Sequence, residues 1–124
     1  MSTHNEEVKY GLKRTVIDKI IGVLASYASI EQVILYGSRA KGTFRNGSDI
    51  DLTLKGDALT HHELSRIENE LDDLLLPYKI DLSLFRQIDN PNLIEHIERV
   101  GVVFYEGNLH LEIRNDLAFE PAVW

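Results

Sequence analysis

The sequence contains no cysteine, and this absence removes several kinds of chemistry at once. Without thiols the chain forms no disulfide, builds no thiolate metal site and offers no cysteine nucleophile. Such a composition fits a reducing compartment, where disulfides are rare. We therefore expect a cytoplasmic protein.

Long hydrophobic runs are missing as well. No apolar stretch approaches the roughly 18 to 20 residues needed to cross a bilayer, and the polar segment 1–9 does not resemble a secretory signal. No membrane association is expected. The 124 residues, 44% of them hydrophobic, suffice for one domain with a substantial core.

Positive charge is scarce. There are 13 Lys and Arg residues against 20 Asp and Glu residues, which gives a formal net charge of −7. Proteins that hold long nucleic acids usually carry a basic surface. This chain alone is therefore not expected to bind long DNA or RNA.

Hydrophobic periodicity predicts a small α/β fold in which helices alternate with short strands. The predicted helices are residues 10–27, a short one at 38–41, 60–75 with Thr60 and Glu63 at capping-box spacing, and one from Asn90-Pro91 to Gly101. The predicted strands are residues 31–36, 48–55, 78–85 and 102–105. We expect one domain over residues 1–124, with a core at about 10–106 and a tail at 107–124.

Three aspartates are placed unusually for strand residues. Asp49 and Asp51 alternate with Ile50 and Leu52, so both carboxylates project from the polar face of one strand. Asp81 repeats the arrangement on a later strand. If they converge, each like-charge pair at about 4 Å costs up to roughly 4 kcal/mol at an effective dielectric of 20. A divalent cation such as Mg²⁺, which prefers oxygen ligands, would relieve that repulsion.

A glycine-serine turn precedes the aspartates. Gly37-Ser38 ends a strand and begins a short helix, a junction whose N–H groups bind anions well. The following loop carries three cations in an otherwise acidic chain, namely Arg39, Lys41 and Arg45. Each is either a solvated loop residue or part of a triphosphate clamp.

Gly37-Ser38, ten intervening residues and Asp49-Ile50-Asp51 resemble the signature of the polymerase-β-like nucleotidyltransferase superfamily, and within it the minimal nucleotidyltransferase (MNT) family. Gly42, Ser48 and Leu52 also stand where that pattern expects them. The likeness extends over roughly residues 16–106.

The resemblance implies a small mixed sheet flanked by helices. It implies Asp49, Asp51 and Asp81 as ligands of two Mg²⁺ ions, with Mn²⁺ as the alternative. It implies ATP or another nucleoside triphosphate bound by the turn and the loop that follows it. The nucleotide-binding candidates are Gly37, Ser38, Arg39, Lys41, Arg45 and Ser48.

The resemblance also implies a partner. Many MNT chains accompany a HEPN-type protein, and in several pairs the MNT chain is an antitoxin that adenylylates a tyrosine of the toxin. We expect the same activity here. One alternative is a nucleotide-binding module that neutralises its partner by stoichiometric binding, and a weaker one is nucleotidylation of a small molecule.

Other residues are interpreted as structural. His61-His62 begins a helix, where adjacent side chains do not face each other, and His96 is expected on a helix surface. In the tail, Phe119, Val123 and Trp124 are expected to dock on the domain, in a homo-oligomer contact or on a partner.

Overall fold

The computed structural model describes residues 8–107, which form a layered α/β structure. Its strands are β1 (Val8–Lys9), β2 (Leu12–Lys13), β3 (Gln32–Tyr36), β4 (Ile50–Lys55), β5 (Ile80–Leu84) and β6 (Val102–Glu106). Its helices are α1 (Arg14–Leu24), α2 (Ser38–Lys41), α3 (His61–Asp72) and α4 (Pro91–Val100), with a 3₁₀ turn at Phe85–Gln87.

Four strands make one mixed sheet in the order β5-β4-β3-β6. The central strand β3 runs antiparallel to both β4 and β6, whereas β4 and β5 are parallel. Helix α3 connects the parallel pair, because parallel neighbours require a crossover. The predicted small mixed sheet flanked by helices is confirmed.

Strand β6, at the end of the described residues, pairs with β3, the first strand of this sheet along the chain. Glu106 of β6 pairs with Gln32 of β3, and Gln32 Nε2 donates a hydrogen bond to Glu106 Oε2 at 2.9 Å across a separation of 74 residues. The apolar strand β3 is thereby covered on both edges.

The two faces of the sheet bury different sets of side chains. The larger cluster lies under α1 and α3 and includes Val33, Leu35, Leu52, Leu54 and Leu82. On the opposite face, a smaller cluster joins α4 to β3 and consists of Ile34, Tyr36 and Ile97, with Phe85, Ile88 and Leu93 packed against it.

The face that carries the aspartates was predicted to be polar throughout, and only one end of it is. Thr53, two residues after Asp51, is 0% exposed. The Ser83 hydroxyl of β5 donates a hydrogen bond to Thr53 Oγ1 of β4 at 2.9 Å. The buried Thr53 hydroxyl therefore has a partner on the neighbouring strand. The smaller cluster therefore confines the exposed carboxylates to the end of the sheet where β4 and β5 begin.

The helix predicted at residues 10–27 was wrong at both ends, because α1 spans only Arg14–Leu24. β1 and β2 form a hairpin whose two-residue turn is Tyr10-Gly11, with φ angles of 59° and 74°. Two left-handed residues suit a type I′ turn, which normally selects Asn or Gly rather than Tyr. α1 then begins at Arg14.

The predicted caps are confirmed. Thr60 Oγ1 accepts a hydrogen bond from the Glu63 N–H at 3.1 Å. Asn90 Oδ1 accepts from the Asn92 N–H at 2.9 Å, with proline in the first turn of α4. Gly101 ends α4. β3, β4 and β5 are shorter than predicted, whereas β6 extends one residue further than predicted, to Glu106. α3 ends at Asp72 rather than at residue 75.

Leu75, beyond α3, combines backbone strain with exposure. Its φ is 56° and its side chain is 87% exposed. An L-residue in this region costs about 1–2 kcal/mol, whereas asparagine tolerates it. We expect Leu75→Asn to raise the free energy of unfolding by about 0.5–1 kcal/mol in urea titrations.

Leu74 provides the control for that variant, because it is partly buried and packs against the larger cluster. Leu74→Asn should destabilise the protein. Equal effects of the two substitutions would contradict the assignment of strain to Leu75.

Two predictions concern residues outside the described part of the chain. These are the polar segment 1–9, of which residues 1–7 lie outside the described part, and the tail residues Phe119, Val123 and Trp124. Within residues 8–107, no helix is long and apolar enough to cross a membrane.

Candidate active site

Three polar side chains stand side by side across three strands. Tyr36 of β3 pairs with Asp51 of β4, and Asp51 pairs with Asp81 of β5. Directly paired residues project from the same face of a sheet. Asp49, two residues before Asp51, lies just ahead of β4 and is exposed. The sheet thus brings the predicted carboxylates to one end of one face.

The carboxyl of Asp51 lies between the other two carboxylates and is partly buried. Burial raises its pKa, the neighbouring carboxylates of Asp81 and then Asp49 raise it further, and His96 lowers it. Asp49 and Asp81 therefore lie close enough to Asp51 for their charges to raise its pKa. A negative charge on Asp51 is costly unless a cation balances it.

Stability should depend on pH through Asp51. A carboxyl whose pKa is raised on folding binds its proton more tightly in the folded state, so stability falls as pH rises from 3.8 through the raised value. We expect urea unfolding in EDTA, with Asp51→Asn as reference, to show the wild type losing stability relative to the variant over this window. A difference that is independent of pH would contradict the shift.

Tyr36 lies beside the carboxylates and was not singled out from the sequence. Its side chain is 8% exposed. Burial raises the pKa of its hydroxyl, Ser83 lowers it through a hydrogen bond, and Asp51 and Asp81 raise it. The phenol therefore remains protonated at neutral pH and lines the site as a neutral group.

The turn after β3 touches the central carboxylate. Gly37 has a φ of 79°, and a Cβ at this position would overlap Asp51 Oδ2. Only glycine combines this backbone conformation with so close an approach. The turn and Asp51 therefore form one packed unit, with Ser38 beginning α2 beside it.

His96 meets the same turn, which corrects the prediction that it lies on a helix surface. It is half-buried, and its Nε2 accepts a hydrogen bond from the Gly37 N–H at 3.2 Å. Its ring stands edge-on to Tyr36, with centroids 6.2 Å apart. No local pattern marks this residue, because the contact joins residues 59 apart.

Arg39 does not project toward the carboxylates, which corrects its predicted place in a phosphate clamp. It is 2% exposed. Its Nε and Nη2 donate to the Ser48 carbonyl at 3.1 and 2.9 Å, and Nη1 donates to the Tyr10 carbonyl at 2.9 Å. The guanidinium lies 5.3 Å from the Phe44 ring centroid and 5.0 Å from that of Tyr78. These contacts favour a structural role, fixing the loop against the hairpin.

The remaining loop residues divide between exposed cations and a structural serine. Lys41 and Arg45 are both exposed. Ser48 Oγ accepts a hydrogen bond from the Arg45 N–H at 2.8 Å, which closes the turn ahead of Asp49. Lys41 and Arg45 are free to extend toward an anion, whereas the Ser48 oxygen already has a partner.

The donor set suits Mg²⁺, although residues 8–107 contain no preformed cluster of three acidic or histidine ligands. Three carboxylates supply the hard oxygen ligands that Mg²⁺ prefers, and Mg²⁺ retains waters rather than filling its shell with protein groups. Because the pKa of Asp51 is raised, its ionised form is unfavourable in the folded protein, and a bound cation would stabilise that form.

Comparison with known proteins agrees with this geometry. The family model described as polymerase beta, nucleotidyltransferase matches residues 18–109. The chain belongs to this nucleotidyltransferase family. No curated protein matches the sequence.

Solved structures share the nucleotidyltransferase fold. One is a chain from a toxin–antitoxin crystal structure with AMP-PNP, at 19% identity and a TM-score of 0.59, over 87% of this chain and 98% of that one. Another comes from a Shewanella oneidensis complex of a tri-AMPylated HEPN toxin with its MNT antitoxin, at 18% identity and a TM-score of 0.56, over 89% and 87%. A MntA–HepT complex matches at 16% identity and a TM-score of 0.56, over 90% and 99%.

Proposed function

We propose that this nucleotidyltransferase transfers AMP from ATP to a tyrosine hydroxyl of a HEPN-type partner and thereby acts as its antitoxin. The observation that carries the proposal is the pairing of Asp51 with Asp81 beside the Gly37 turn. The likeness to toxin–antitoxin structures, one with AMP-PNP and one with an AMPylated toxin, supports the choice of nucleotide and partner.

The carboxylates of Asp49, Asp51 and Asp81 would hold the two Mg²⁺ ions. When bound, such ions supply charge neutralisation at the attacking and leaving oxygens. The Gly37-Ser38 turn would hold the triphosphate, and the exposed Lys41 and Arg45 would add positive charge to it.

The reaction is an in-line displacement. The tyrosine oxygen of the partner forms a bond to the α-phosphorus, and the bond from that phosphorus to the bridging oxygen breaks. Pyrophosphate leaves with the bond electrons. The hydroxyl proton passes to solvent or to Asp81, which is exposed and can accept it.

The test uses the full chain with its HEPN partner, labelled ATP and Mg²⁺, and the other nucleoside triphosphates in parallel. We expect label on a partner tyrosine and loss of toxicity. The matched control replaces Asp49 and Asp51 with asparagine. Full neutralisation by that variant, without label transfer, would instead favour stoichiometric binding.

A further inference from the structure

His96 occupies a position that the proposed chemistry does not use. It lies in α4, while the carboxylates and the turn lie between residues 37 and 81. Ile97, the next residue, is buried against Ile34 and Tyr36 of β3. This packing places His96 at the end of β3, where its ring meets both Tyr36 and the Gly37 backbone.

The Gly37 N–H has no strand partner on the β6 side. Pairing between β3 and β6 ends at Leu35 and Val102. Just beyond, the imidazole of His96 supplies the acceptor that the sheet no longer provides. A part-buried N–H without a partner is unfavourable, so the turn would rearrange to expose it if this acceptor were lost.

Rearrangement of Gly37 would act on the site directly. The glycine lies against Asp51 in a left-handed conformation that leaves no space for a side chain. A change in its φ or position would shift the start of α2 relative to Asp51. The imidazole contact therefore fixes the distance between the turn and the central carboxylate.

We propose that His96 is a positioning residue for nucleotide binding, which holds the Gly37 amide and so keeps the phosphate-binding turn against Asp51. This inference rests on the proposed function. In this proposal His96 acts through the Gly37 N–H, to which it is hydrogen-bonded, and not on phosphate or acceptor directly.

Two variants separate the hydrogen bond from packing. His96→Leu keeps an apolar side chain of similar bulk and removes the acceptor, whereas His96→Gln keeps an acceptor near the position of Nε2. His62→Leu, at an exposed histidine of α3, is the matched control. Thermal unfolding of each variant identifies any general loss of folding.

Three measurements follow: hydrogen exchange of the Gly37 amide by NMR, the Kd for Mg²⁺-ATP, and KM with kcat for transfer. For His96→Leu we expect faster exchange of the Gly37 amide, and a Kd and KM raised about tenfold, from the loss of one part-buried hydrogen bond. The turn is expected to bind the triphosphate equally in the ground state and in the transition state. Its displacement should therefore change kcat less than KM. His96→Gln should stay within about twofold of the wild type, as should His62→Leu.

Several results would overturn the inference. One is wild-type or tighter nucleotide binding by His96→Leu, which would mean that the imidazole competes with phosphate for the amide. Another is equal loss in His96→Gln and His96→Leu, which would indicate packing alone. If the wild type binds nucleotide but transfers nothing, the proposed function fails while the Kd still decides the role of His96. If it binds no nucleotide, both fail.

Discussion

Changing Asp51 to asparagine is expected to lower nucleotidyl transfer at least about a thousandfold and to make the folded protein more stable. The catalytic loss follows because an amide is a poor substitute for a carboxylate that balances bound cations. Initial rates with labelled ATP and the HEPN partner measure it. The gain in stability follows from the folded state itself, where burial and two neighbouring carboxylates raise the pKa of Asp51.

The expected gain in the stability of Asp51→Asn is small. Removing one member of a partly solvated like-charge group should contribute about 0.5–1 kcal/mol, or about 2–5 °C in Tm for a domain of this size. It should appear in EDTA, where no cation offsets the repulsion. Added Mg²⁺ should raise the Tm of the wild type and have less effect on the variant.

Asp57→Asn is the matched control, because Asp57 is an exposed aspartate beyond the opposite end of β4. It should leave both the transfer rate and the Tm close to the wild type. An Asp51→Asn protein that retains transfer would refute the assigned metal ligand. One that is less stable in EDTA would refute the electrostatic interpretation.

Changing Arg39 to methionine is expected to destabilise the protein by about 2–4 kcal/mol. Methionine retains much of the apolar contact with Phe44 and Tyr78 but leaves the Ser48 and Tyr10 carbonyls without their donors. Arg39→Lys should not restore stability fully, because one ammonium cannot reproduce the planar arrangement of donors. Chemical denaturation measures both variants.

Arg45→Met is the control for this experiment, since Arg45 is an exposed arginine of the same loop. It should change unfolding little and weaken ATP binding if Arg45 contacts phosphate. The opposite pattern, in which Arg39→Met folds normally and loses only nucleotide affinity, would restore the clamp role predicted for Arg39 from the sequence.

Local patterns in the sequence were sufficient to predict most of the fold. The alternation around Asp49 and Asp51 predicted the face of β4, because strand geometry has a fixed period of two. Thr60 and Asn90 predicted two helix starts, because capping depends on neighbouring residues alone. The Gly-Ser to Asp-x-Asp spacing predicted the family for the same reason, since its residues lie close together in the chain.

What the sequence did not predict depends on distant contacts. The left-handed Tyr10 is held by a hydrogen bond from Arg39 to its carbonyl, and no local signal distinguishes that tyrosine from a helical one. From the sequence, Arg39 was either a solvated loop cation or part of a triphosphate clamp, and neither interpretation predicted its burial beside Phe44 and Tyr78. The contact of His96 with the Gly37 N–H exists only because α4 packs on β3, which no local pattern in the sequence indicates.

The return of β6 to β3 has a consequence for synthesis on the ribosome. Until residue 102 leaves the exit tunnel, β3 lacks its second neighbour, and the backbone groups along one side of an apolar strand stay unpaired. Nascent chains stalled after β5 should therefore aggregate or recruit chaperones rather than form a smaller native unit. Synthesis of β6 therefore completes the four-stranded sheet of residues 8–107.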